Sequence, residues 1–301
     1  MLLSSGIADF LADLKQAGCS RHTRRAYACD LAQLTEAAPE RVADLTPEIL
    51  RSFFASQADL ASSTRARRQA SFTSFCAWAY REGLLASDPM GRVLRIRTEQ
   101  PPPRGFTPGQ VSALLASIPP ARLRDKVLFT LLATTGLRVG EALGRDIDDL
   151  HLARDDERLT VLGKGGRHRT VLLDDPILLR LLRWYLRETG YQHGPLFRAK
   201  RGASKTALRY QSVQARFASY LEAANITGSL HDLRHSHAKA LVNGGVSLAT
   251  IRKRLGHANV ATTLRYAEQS DATPDGELRR WQRTKGFCGR FGGVRTSTRS
   301  R

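Results

Sequence analysis

The sequence predicts a mainly α fold with a small β-hairpin, in two domains: an all-α N-terminal domain and a mixed α/β C-terminal one. Three observations predict it. Apolar residues recur at helical spacing through most of the 301 residues, and the pattern switches to period two only around GKGG. Three consecutive prolines, Pro101 to Pro103, interrupt it about a third of the way along. A chain of this length suffices for two domains, each burying its own core.

In the N-terminal third, IADFLADLKQA, TRRAYACDLAQL, TPEILRSFFASQ and STRARRQASFTSFCAWAYREGLL carry the helical period, with Ser20, Thr46 and Ser62 or Ser63 placed to cap helices. RIRTEQPPPRGFTP forbids helix and favours an extended, semi-rigid connector. Beyond it, TPGQVSALLASI and ARLRDKVLFTLLATTGLRVGEAL are helical, and DERLTVLGKGGRHRTVLL reads as a hairpin. Helical patterns resume at DPILLRLLRWYLRETG, TALRYQSVQARFASYLEAAN, HDLRHSHAKALVNGG, SLATIRKRLGH and NVATTLRYAEQ. The predicted boundaries are residues 1–98 for the α domain, 99–106 for the connector, 107–285 for the second domain and 286–301 for a basic, disordered tail. There is no internal repeat.

Charge narrows the partner. With 47 Lys+Arg against 28 Asp+Glu the formal net charge is +19, and the usual explanation of such an excess is a polyanion. Arg65, Arg67 and Arg68 open the last long helix of the α domain, and Arg92, Arg95 and Arg97 lead into the connector. A solvated basic face would look the same, but clustering beside a hinge suits a two-domain clamp closing on double-stranded DNA. Cys19, Cys29, Cys76 and Cys288 are scattered with no CxxC pair, which disfavours a disulfide framework and a zinc knuckle. MLLSSGIADF has no basic n-region, and the longest apolar run, VLFTLLATTGL, is too short to span a bilayer. The expectation is a soluble, unsecreted, cytoplasmic protein with no membrane partner.

The candidate chemistry lies in four short segments. HDLRHSHAKAL places His231 and Arg234 on one face of a helix, pointing outward, while Leu230, Leu233, Ala240 and Leu241 face the core. His231 and His235 share the spacing of helical zinc sites, with His237 close by. Arg234 between them would repel an ion, so His235 and His237 are read as packing or hydrogen-bonding residues and no metal is expected. A permanently charged guanidinium fork matches a phosphate oxygen pair. TTGLRVGEAL supplies a second one, Arg138, after a turn at Gly136 and with Glu141 placed to hold it. GKGG puts Lys164 at a hairpin tip, without the spacing of a Walker loop. RLGHANVATTLRYAE adds His257, in a turn after Gly256, and Tyr266, on the helix that follows.

The set Arg138, Lys164, His231, Arg234, His257 and Tyr266 resembles the active site of the tyrosine recombinase (phage integrase) family. TGLRVGEAL, GKGGRHRTV, HDLRHSHAKAL and LGHANVATTLRY are each similar to a family motif, in the family's order. SRHTRRAYACDL and SSTRARRQASFTSFCAWAYREGLLASDPM are similar to its core-binding domain, so the resemblance covers nearly the whole chain. With no arm-binding domain ahead of the α domain, the chain looks more like Xer-type resolvases and transposon-encoded recombinases than lambda-type integrases.

The resemblance implies site-specific recombination by two reversible transesterifications, needing neither ATP, cofactor nor metal. Tyr266 would attack the scissile phosphate, leaving a 3′-phosphotyrosine and a free 5′-hydroxyl. Arg138 and Arg234 would clamp the non-bridging oxygens, and Lys164 would protonate the leaving 5′-oxygen. His231 would move the tyrosine proton, and His257 would donate to the phosphate. The implied partners are duplex DNA carrying a specific recombination site and a homotetramer on two duplexes, with or without a second recombinase. DGELRRWQRTKGF would dock on a neighbouring protomer through Leu278 and Trp281. The rival readings are type IB topoisomerase relaxation, a non-catalytic DNA-binding protein, and a metal-dependent nuclease using DIDDLHLARDDE, which reads better as a solvated loop. Tyr220 and Tyr210 are the next candidates for the nucleophile.

Overall fold

The computed structural model describes residues 1–98, 104–163, 166, 168–199 and 206–256. Within it the chain divides into two compact units, Met1–Pro101 and Pro102–Arg301, at the triple proline. Lys164, His257, Tyr266 and the tail lie outside the described residues.

The first unit consists of α1 (Leu3–Gln16), α2 (Arg21–Ala37), α3 (Pro47–Ala55) and α4 (Ser62–Arg81). Ser20 and Thr46 cap α2 and α3 as the sequence predicts, accepting from the Thr23 and Ile49 amides. At α4 the cap position falls instead on Ala61, which has no side-chain acceptor, so neither Ser62 nor Ser63 caps it. α1 begins four residues before the first apolar repeat because the chain start is pinned: the Leu3 amide donates to the Glu40 carbonyl (2.6 Å) and Val42 to Met1 (3.2 Å). The core is aromatic. Phe10, Phe75 and Trp78 interlock at 5.6 to 6.0 Å between centroids, and Phe53, Phe54 and Phe72 form a second group.

The second unit is built around α6 (Leu123–Thr135), which packs against α5 (Pro108–Ala116), α8 (Pro176–Thr189) and α10 (Leu230–Asn243). Val127, Leu128, Phe129, Leu131 and Leu132 are all buried, so the segment VLFTLL is enclosed on every side, with Thr130 its one polar residue. Its one buried carboxylate, Asp125, accepts from Arg216 (3.0 and 3.2 Å), Arg124 (3.2 Å) and the Tyr220 hydroxyl (2.9 Å). α7 (Val139–Leu143), α9 (Tyr210–Ala223) and α11 (Leu248–Leu255) complete the α-helices among the described residues.

The hairpin is present as β2 (Arg158–Leu162) and β3 (His168–Leu172), antiparallel, with Leu162 opposite His168 across the GKGG connection. A two-residue strand, β1 (Leu150–His151), adds to β2 inside the acidic run that reads as a loop in the sequence. Phe106, placed by composition in the connector, belongs to the core of the second unit. Its amide donates to Ser236 Oγ (2.7 Å), and a Cβ on Gly105 would come within 2.9 Å of the Ser236 nitrogen of α10. Among the described residues no helix is long and apolar enough to cross a membrane.

Candidate active site

α6 ends at Gly136 in the left-handed region (φ 65°), and there the chain passes under two other elements. A Cβ on Gly136 would lie 2.6 Å from Leu255 and 2.8 Å from His237, so both the conformation and the close approach require glycine. Arg138 follows at the N-cap of α7. Its amide donates to Glu141 Oε2 (2.9 Å) and its guanidinium Nη1 to Oε1 (3.1 Å), the contact the spacing predicts. The Arg138 side chain keeps 43% of its surface exposed.

Arg234 does not point outward as helix geometry suggested. It is 2% exposed, and its two terminal nitrogens donate to the Gly136 carbonyl (2.7 Å) and the Leu255 carbonyl (2.8 Å). The register of α10 is rotated from the predicted one: Leu230, Leu233, Ala238 and Val242 are buried, while Ala240 is exposed and Leu241 half-buried. That rotation turns Arg234 inward and leaves His231 exposed. The buried fork thus ties the backbone two residues before Arg138 to the backbone two residues before His257.

The histidines favour their neutral forms. The His231 ring is lowered from its ordinary pKa by desolvation and by the cations Arg234 and Arg138, against the opposing pull of Asp232. It stands edge-on to His235, with centroids 4.6 Å apart. Burial, with His231 beside it, pushes His235 down to about 4. Burial, with Arg254 beside it, pushes His237 down to about 4. His237 Nε2 accepts from Arg254 Nε (3.2 Å), so it is a hydrogen-bonding residue as the sequence suggests. Arg254 in turn pairs with Asp174 (2.9 and 3.2 Å) and donates to the Thr134 carbonyl (3.3 Å).

Arg254 and Asp174 are not singled out by the sequence, and neither is Arg169 of β3. For Arg169 a signal exists. On β3 the side chains of Arg169, half-buried, and Val171, buried, share the inward face, so a cation stands where the period-two pattern calls for an apolar residue. It is paired there: Nη1 and Nη2 donate to Glu141 Oε1 and Oε2, each at 2.9 Å.

Of the arginines in the first unit, Arg67 is ion-paired to the fully buried Asp30, which also accepts from Ser71 Oγ (2.8 Å). Arg68 donates to Gln57 (2.6 Å), and Arg65 is half-buried. Part of this cluster therefore holds α2 and α4 together. Arg92, Arg95 and Arg97 are exposed. Arg95 and Arg97 border a groove of about 1360 Å³ against the small side chains Ala66, Ala70 and Ala77 of α4. The alternative nucleophile Tyr220 is buried against Asp125, and its phenol is pushed up to about 12 by burial and by that carboxylate. Tyr210 is 46% exposed.

A helical N-terminal unit, a helical unit with a three-stranded antiparallel sheet, and arginines brought together by α7 and α10 define a recognisable class. Residues 104–273 match the phage integrase family, and residues 7–83 match the phage integrase N-terminal SAM-like domain. The chain belongs to the phage integrase family, the tyrosine recombinases, enzymes that cleave and rejoin DNA. It is 34% identical over 275 residues to tyrosine recombinase XerC of Mycobacterium tuberculosis (strain ATCC 25177 / H37Ra), covering 83% of this chain and 89% of the relative. It is 35% identical over 272 residues to tyrosine recombinase XerC of Mycobacterium sp. (strain JLS), covering 83% and 88%. Among solved structures, the fold is similar to that of a lambda integrase dimer bound to a COC′ core site (TM-score 0.74, 15% identity, 90% of this chain and 79% of that one). It is also similar to XerH recombinase bound to a palindromic difH substrate (TM-score 0.69, 18% identity, 88% and 81%).

Proposed function

We propose that this recombinase breaks and rejoins duplex DNA at a specific site through a phosphotyrosine at Tyr266, with Arg138 and Arg234 as its phosphate-binding guanidiniums. The observation that carries the reading is the buried fork of Arg234 on the Gly136 and Leu255 carbonyls. It joins the segments that bear Arg138 and His257, and a charge held in a water-poor site acts far more strongly on a developing anion than one in bulk solvent. His231, lowered by desolvation and by two cations, is suited in its neutral form to accept the tyrosine proton. Lys164, in the GKGG segment between β2 and β3, supplies the proton to the leaving 5′-oxygen, and His257 donates to the phosphate. Bond energy is conserved in the phosphotyrosyl ester, so no ATP is needed, and the guanidiniums of Arg138 and Arg234 stand in for a divalent cation.

Residues 1–98 form the core-binding domain and residues 107–285 the catalytic domain. The exposed Arg92, Arg95 and Arg97 follow the DNA backbone, together with the parts of Arg65, Arg67 and Arg68 not committed to internal pairs. The lambda integrase tetramer bound to a Holliday junction supports a homotetramer on two duplexes. In it the Leu278–Trp281 segment docks on the next protomer, and Arg290 to Arg301 add nonspecific phosphate contacts. The chain works in the cytoplasm, on the nucleoid.

A two-site recombination assay run beside plasmid relaxation, both with and without EDTA, tests this function. Exchange of flanking DNA at full rate in EDTA is expected. Relaxation without exchange would make the activity that of a topoisomerase, and loss of activity in EDTA would make it metal-dependent.

A further inference from the structure

Glu141 carries more than its place beside Arg138 requires. Its carboxylate accepts four bonds: the Arg138 amide, the Arg138 guanidinium, and both terminal nitrogens of Arg169. Its side chain is 9% exposed and that of Arg169 16%, so this pair is shielded, while Arg138, 43% exposed, joins it from the solvent side. Geometry decides how the anion is shared. Arg169 donates one bond to each oxygen in a parallel fork at 2.9 Å, while the Arg138 guanidinium donates only one, at 3.1 Å. Remove Arg169, and of these four bonds only the two from Arg138 remain, so the carboxylate would draw more strongly on the Arg138 guanidinium and compete with a phosphate for its donors.

The other face of Arg169 is also fixed. A Cβ on Gly256 would lie 2.9 Å from both Cζ and Nη1 of Arg169 and 3.0 Å from its Nε, so the flat guanidinium rests directly on the Gly256 backbone. Gly256 is the left-handed terminator of α11 (φ 65°). Arg169 therefore touches the α7 turn through Glu141 and the α11 turn through Gly256, and it stands on the hairpin strand that follows Lys164.

We propose that Arg169 is a positioning residue for strand cleavage: by occupying both oxygens of Glu141 it keeps the Arg138 guanidinium available to the scissile phosphate, and it sets the hairpin against the Gly256 turn. The inference rests on the role proposed above for Arg138. Without Arg169, Glu141 loses the hydrogen bonds that outweigh its burial and hold its carboxyl below the ordinary range, so it protonates at higher pH.

The test uses the full-length chain on a nicked duplex carrying its recombination site, selected by binding from random duplexes. Covalent cleavage and binding are measured for Arg169→Met, Glu141→Gln, the double variant and Arg138→Ala. Arg169→Met should lose ~10- to 100-fold in cleavage with binding within a few-fold, the scale of a misplaced catalytic group. Adding Glu141→Gln should recover at least several-fold, because an amide no longer captures Arg138. The ratio of Arg169→Met to wild-type cleavage should also rise as pH falls from about 8 to about 5.5, since protonation of Glu141 releases Arg138. Should Arg169→Met not fold, Arg169→Lys keeps the charge without the fork and should show a few-fold loss with a flat pH ratio. Wild-type cleavage in Arg169→Met overturns the inference, and so does a loss that neither Glu141→Gln nor acid relieves. Unimpaired cleavage by Arg138→Ala would instead sink the role of Arg138 itself.

Discussion

Arg138 and Arg234 look equivalent in the sequence and should behave differently when removed. Arg234→Ala strips charged donors from the Gly136 and Leu255 carbonyls, both in buried residues. At ~1.5–3 kcal/mol for each charge-assisted bond, the expected cost is ~3–5 kcal/mol, the range found when a buried charged contact is broken. For a unit of about 200 residues, each kcal/mol moves the midpoint by ~2–4 °C, so Tm should fall by roughly 6–20 °C. Arg138→Ala removes a side chain that is 43% exposed and leaves Glu141 still paired with Arg169, so its cost should be ~1 kcal/mol or less. Both changes should reduce cleavage by ~100- to 1,000-fold at a temperature where both variants are folded. Thermal unfolding of the full chain, followed by single-turnover covalent cleavage, separates the two. Equal Tm losses would refute the assignment of Arg234 as both a structural bridge and a phosphate donor.

Tyr220→Phe removes one hydrogen bond to Asp125 and should destabilise by ~1 kcal/mol, with cleavage per folded molecule unchanged; a large loss of cleavage in a folded variant would reopen the choice of nucleophile. His235 and His237, whose folded pKa values of about 4 lie below the ordinary 6.5, add stability that is fully present above 6.5 and is lost as pH falls from 6.5 towards 4. Urea titrations of wild type and His237→Gln across that window should show a shallower pH dependence in the variant, and parallel curves would contradict the assignment. Gly136→Ala places a methyl 2.6 Å from Leu255 in a left-handed turn, so it should lower stability by ~2 kcal/mol or more, whereas Gly109→Ala, with nothing within 4 Å, should be close to neutral in the same denaturation assay.

The helices were legible because amphipathic periodicity is a local property, and the hairpin because GKGG interrupts it. What the sequence could not show was set by tertiary packing. The rotation of α10 that buries Arg234 follows from two backbone carbonyls it must satisfy, and neither is adjacent in sequence. β1 was hidden because two residues carry no period. The prolines before Phe106 mask its place in the core, where its ring centroid lies 6.4 Å from that of Phe217. In the first unit, Arg67 was indistinguishable from a solvated arginine until Asp30 was found buried beneath it. Arg169 is legible as a charge on the inward face of a strand. The motif order carried Lys164, His257 and Tyr266, which lie outside the described residues.

The central claim is that Tyr266 forms the covalent bond to DNA. Wild type and Tyr266→Phe should be reacted with the same nicked substrate, digested with protease, and the DNA-linked peptide sequenced by mass spectrometry. The wild-type adduct should map to Tyr266 as a phosphotyrosine, and Tyr266→Phe should bind the site with near-normal affinity and form no adduct. An adduct at Tyr210, or one that survives in Tyr266→Phe, would contradict it.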